Sequence, residues 1–132
     1  MISDEIKRFV EARGVATVAS AGADGRPHLA LGSGITVLDG EHIAFGNWLC
    51  RTTLHNVEQN RQVAVSVMAR ESATGYQFVG RVVHGFDTAL VGGYTPEPLP
   101  VGDLQALTSL VVRVEEVLAF CTGIHSDQPV QG

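Results

Sequence analysis

The chain has 132 residues, 45% of them hydrophobic and 17% charged, with a formal net charge of −5. That length suits one domain with one modest core, here taken as 1–132, and the composition is ordinary for a soluble globular protein. Nine Lys and Arg are too few for a basic face, which argues against non-specific nucleic-acid binding, and no uncharged apolar run is long enough for a membrane span.

The first stretch, "MISDEIKRFVEARG", is charged and amphipathic rather than a secretory signal. Ser3 is placed to cap a helix, with Asp4 and Glu5 in its first turn favoured by the helix dipole. Ile6, Phe9 and Val10 form its apolar face, and Gly14 suits the stop. Cys50 and Cys121 make neither a metal-like pair nor a disulfide framework, so a reduced, cytoplasmic protein without a metal is expected.

The period then changes to that of strands. "VATVAS" is a strand, and Asp24-Gly25 is a hairpin signal because both residues tolerate positive φ. "HLALGSGITVL" reads as one returning strand. Its Gly32 and Gly34 are unusual in a strand interior, where glycine marks a bulge or a close approach. Asp39-Gly40 gives a second tight turn and "EHIAFG" a third strand, which together predict an antiparallel meander.

The next stretch, "NWLCRTTLHNVEQN", passes into a helix, with Leu54 and Val57 at helical spacing. "QVAVSVMA" places Val63, Val65 and Val67 on one strand face. "GYQFVGRVVHGF" is a further strand, broken by Gly80 and Gly85. "GGYTPEPLPVGD" reads as loop and "DLQALTS" as a short helix. "LVVRVEEVLAF" is a long strand rich in β-branched residues, and the polar tail after it is expected to be loose unless a partner chain holds it. Strands do not alternate with long helices, so a parallel nucleotide-binding sheet is not expected. The reading is mainly β: a six-stranded antiparallel barrel with short peripheral helices.

The join between the third strand and the following helix carries the chemistry. A helix start exposes unpaired N–H groups and the positive end of a dipole, which favours a phosphate. Arg51 adds a two-pronged charged donor, and Thr52 and Thr53 add hydroxyls. The plainer alternative is that Thr52 or Thr53 only caps the helix and Arg51 is solvated. Trp48 could cover a ligand, line a subunit contact or simply be core. Cys50 reads best as a buried, inert thiol. His28, His42, His55, His84 and His125 form no sequence-local ligand pair.

The order "GVATVASAGADGRPHLALGSGITVLDGEHIAFGN", "RTTLHNVEQNRQVAVSV" and "GYQFVGRV" resembles the FMN-binding split-barrel family, that of the pyridoxamine 5′-phosphate oxidase-like proteins. The resemblance covers residues 5 to 86 well, and "DGRPHLA" and "TLHNVEQN" are its most specific parts. It implies a split β-barrel and a homodimer with two FMN molecules at the subunit interface. It places the isoalloxazine ring beside Leu31, Gly32, Ser33, Phe45, Gly46 and Asn47, near Trp48. The phosphate would lie at Arg51, Thr52 and Thr53. Thr52 and Thr53 stand where many relatives carry a second basic residue. Nothing matches the C-terminal segment of the true oxidases, so pyridoxamine phosphate oxidation is not expected. The implied function is an FMN-dependent oxidoreductase of unknown substrate. Alternatives are a flavin carrier or electron-transfer protein, a haem- or deazaflavin-binding barrel, or a barrel that has lost its cofactor and serves as an interaction module.

Overall fold

A computed structural model describes residues 1–83 and 109–130. Helix α1 spans Asp4–Arg13, and strands β1 to β4 span Val15–Ala21, Pro27–Ser33, Ile35–Asp39 and His42–Phe45. Helix α2 spans Arg51–Gln59, and β5 to β7 span Gln62–Ala69, Thr74–Val83 and Leu110–Phe120. The predicted loop over 92–103, His84, Gly85 and all but Ser109 of the short helix predicted over 103–109 lie outside the described residues.

The local signals act as their chemistry requires. Ser3 Oγ accepts from the Ile6 N–H at 3.2 Å, and Gly14 ends α1 in the left-handed region at φ 73°. Ile6 and Val10 are buried, while Phe9 meets Tyr76 edge-on, with ring centroids 5.2 Å apart. In the β1–β2 turn only Gly25 of the Asp24-Gly25 pair takes a positive φ; the Asp24 carboxylate instead accepts from the Arg26 N–H at 3.0 Å. In the β3–β4 turn Asp39 accepts from the Glu41 N–H and bonds His42 Nδ1, both at 2.8 Å.

The described strands form one antiparallel sheet of seven, in the order β2-β1-β5-β6-β7-β4-β3. The seventh strand arises where the sequence predicts one continuous run. Gly34 sits at φ 67° and its N–H donates to the Gly14 carbonyl at 2.9 Å, which splits that run into β2 and β3. Few side chains accept that backbone conformation. The two hairpins are present, but the predicted meander is not. β2 and β3 leave Gly34 for opposite edges of the sheet, so β2 and β4 do not pair. Gly80, by contrast, does not break β6: the strand continues through a register shift against β7.

The sheet must curl, because Gly32 on one edge packs against Phe45, one strand in from the other. The inner face holds Val18, Val65, Phe78, Val112, Ile43 and Leu110, and α1 covers it with Ile6 and Val10. The tail is not loose. The Asp127 N–H donates to the Ala119 carbonyl at 2.7 Å, the Val130 N–H to the Val117 carbonyl at 2.9 Å, and Gln77 Nε2 to Asp127 at 3.0 Å. Backbone groups beside β7 find partners in the chain's own return.

Candidate functional site

The ten residues expected at a flavin site divide by direction. Leu31 and Ser33 point outward from β2, and Gly46, Asn47, Arg51 and Thr52 are exposed around the β4–α2 join. Gly32, Phe45, Trp48 and Thr53 are buried. Strand alternation explains the first part: Gly32 faces in, so its neighbours Leu31 and Ser33 must face out.

Trp48 is 1% exposed and Phe45 0%. Their rings meet edge-on, with centroids 5.0 Å apart, and the indole N–H donates to the Cys50 carbonyl at 3.1 Å. The indole is therefore packed in the core. A Cβ on Gly32 would meet Trp48 and would lie 2.8 Å from Phe45 Cε1, so the glycine is the close approach that the sequence flagged.

The start of α2 is polar and partly exposed. Its N-cap is Cys50, which makes no side-chain capping bond, and its first turn carries no acidic residue. Neither Thr52 nor Thr53 is the cap. Arg51 and Thr52 present a guanidinium and a hydroxyl at the positive end of the helix, a donor set suited to one phosphate. Thr53 turns inward: it is 0% exposed and its hydroxyl has no hydrogen-bond partner of good geometry.

Cys50 departs from the inert thiol that the sequence suggests. It is only partly buried, and its Sγ lies 3.5 Å from His28 Nε2. Burial pushes the thiol up. The Thr53 hydroxyl, the Thr53 N–H, His28 and the Thr52 N–H outweigh that effect, and its pKa falls from 9.0 to about 7. The Thr53 hydroxyl is the largest of the influences that favour the sulfur's anion. The position before the helix was readable in sequence; the histidine came from a different hairpin and was not.

Beside this pair, a cavity of about 560 Å³ opens between the β1–β2 turn and α2. Asp24, Arg26, His28, Thr52, His55 and Asn56 are among its walls. The Asn56 amide is fixed by donating to Ser20 Oγ at 3.1 Å. Of the histidines, His42 is tied to Asp39, and His55 and His125 are exposed. Among the described residues no three His, Cys, Asp or Glu side chains cluster to hold a metal. No described helix is long and apolar enough to cross a membrane.

A curled antiparallel sheet whose edges approach without pairing is a split β-barrel. The family model described as pyridoxamine 5′-phosphate oxidase matches residues 2–97, and the chain belongs to that family. No curated protein matches the sequence. Among solved structures, HupZ from Group A Streptococcus is 20% identical with a TM-score of 0.73, over 99% of this chain and 100% of that one. An FMN-binding protein from Syntrophomonas wolfei subsp. wolfei is 12% identical with a TM-score of 0.66, over 88% and 84%. A haem-binding protein from Mycobacterium smegmatis is 15% identical with a TM-score of 0.66, over 96% of this chain and 57% of that one. At these identities the likeness is one of fold.

Proposed function

We propose that the chain binds FMN through its phosphate at the start of α2 and acts as a homodimeric flavin oxidoreductase. The observation that carries this reading is the exposed helix start. Arg51 and Thr52 flank it, its first turn carries no carboxylate, and its N-cap Cys50 makes no side-chain capping bond. Family membership and the fold shared with an FMN-binding protein support the same ligand.

The outward face of β2, β1 and β5 supports the dimer. Leu31 pairs across with Thr17 and Leu29 with Ala19, and Ser66 and Ala64 follow on β5. Leu29 and Leu31 are 69% and 76% exposed. Large aliphatic side chains over small neighbours make a face that a second copy would cover. Leu31 and Ser33, two of the six residues expected beside the flavin ring, lie on it. When bound, FMN supplies the redox chemistry, and this chain's part is to bind, orient and tune it.

The test is titration of the apoprotein with FMN, riboflavin and FAD, with a visible spectrum of the purified protein. FMN should bind tightest. Equal affinity for riboflavin would remove the phosphate argument, and a Soret band without flavin peaks would replace the flavin by haem. Turnover with NADH or NADPH separates an enzyme from a carrier.

A further inference from the structure

We propose that Arg61, Arg81, Arg113 and His42 form a binding site for a small phosphate-class dianion, separate from the flavin site. The sheet itself assembles it. Arg81 on β6 is the direct cross-strand partner of Arg113 on β7, and Arg113 is in turn the partner of His42 on β4. Residues so paired have Cα atoms about 5 Å apart, and their side chains share a face. That face is the outward one, because the neighbouring Val82, Val112 and Ile43 are buried. Arg61 joins them from the position before β5. The Val82 N–H donates to its carbonyl at 2.8 Å, and its Nη1 donates to the Val82 carbonyl at 3.3 Å. A cavity of about 290 Å³ opens among these four residues, Val82 and Val83.

Like charges directly opposite one another destabilise a strand pair. Here three of the chain's nine Lys and Arg gather at one cavity, in a chain of net charge −5. Among the described residues the cavity walls carry no carboxylate. Two acidic groups lie nearby. Glu115 is 3.9 Å from Arg113 Nη2, beyond hydrogen-bond reach, and both side chains are about half exposed, so the pair is weak. Asp39 holds His42 Nδ1 at 2.8 Å, which leaves Nε2 to meet a ligand.

A bound dianion turns this repulsion into attraction. Guanidinium forks match phosphate oxygens two at a time, and two forks from adjacent strands can grip one phosphoryl group. The volume is at the small end for ligand cavities; it suits a diphosphate or a small phosphate ester rather than a flavin. The exposed Val83 offers an ester a short apolar contact.

The full chain, without FMN or divalent metal, is titrated by calorimetry with inorganic pyrophosphate and separately with glycerol 3-phosphate. Sodium chloride holds the ionic strength constant. Saturable binding is expected; tighter binding of the first assigns the inorganic anion, and of the second a phosphate ester. Arg81→Gln and Arg113→Gln should each weaken binding roughly ten- to a hundredfold, the worth of a charged hydrogen bond. Without the anion, both variants should melt no lower than the parent, since each removes one of two opposed charges. Pyrophosphate should raise the melting temperature of the parent but not of the variants. No saturable binding of either compound at millimolar concentration, or binding that both Gln variants retain, would overturn the proposal. Both variants should bind FMN as the parent does, so failure here leaves the FMN reading untouched.

Discussion

The α-carbon of Gly32 rests against the indole of Trp48, which joins an edge strand to the segment leading into α2. This contact lets the split side of the barrel close without strand pairing. Gly32→Ala would drive a methyl into two buried rings that meet edge-on. Overpacking of this kind costs about 1–3 kcal/mol. Urea unfolding should show a lower midpoint with an unchanged slope. An unchanged midpoint would mean that the rings move aside freely.

Arg51→Ala should weaken FMN by roughly ten- to a hundredfold, the worth of a charged hydrogen bond, and leave riboflavin almost unchanged. The helix start and Thr52 remain, so binding should persist. Arg51→Lys keeps the charge but not the planar fork and should recover part of the loss. Stability without ligand should barely alter, because the side chain is exposed. Flavin fluorescence titrations at one salt concentration decide it; a change within about twofold would make Arg51 a bystander.

Cys50 predicts a pH dependence of folding. Its thiol falls from 9.0 to about 7 in the fold, so the folded chain releases a proton that the unfolded chain keeps. The stabilisation is fully present above pH 9 and is lost as pH falls through 7. Relative to Cys50→Ser, the parent should therefore gain stability between pH 7 and 9. Chemical denaturation of both chains at several pH values measures the difference. Parallel curves would contradict the shift.

Leu31→Asp places a charge on the outward face of β2 without touching the core. If that face joins two copies, sedimentation should show monomer in place of dimer at micromolar concentration. FMN affinity should fall with it, while far-UV circular dichroism stays the same. A parent chain that is already monomeric with flavin bound would refute the dimer, and a mutant that remains dimeric would move the interface elsewhere.

Much of this molecule was written locally. Ser3, Gly14, Asp24-Gly25 and Asp39 act within a few residues of themselves, so the sequence fixes α1 and both hairpins unaided. The valine alternation of β5 shows which side is core, because burial follows the strand's period of two. The exposed start of α2, with Arg51 and Thr52, was equally legible. So was the family, through "DGRPHLA" and "TLHNVEQN".

Other features depend on residues far apart in the chain. Gly34 separates one apparent strand into two, and its N–H meets a carbonyl at the end of α1. Trp48 becomes core because Gly32 leaves room for it, a vacancy that no local pattern records. Thr53 parts from Arg51 and Thr52 because successive helical side chains point in different directions, and only the packing of α2 decides which one turns inward. Cys50 meets His28 because α2 packs against β1 and β2. The sequence by itself determined α1 and its caps, the two hairpins, the inward face of β5 and the family. The tertiary structure decided which side chains face the core, which face an anion and which thiol is ionised, since burial and electrostatic environment are properties of neighbours that only the fold brings together.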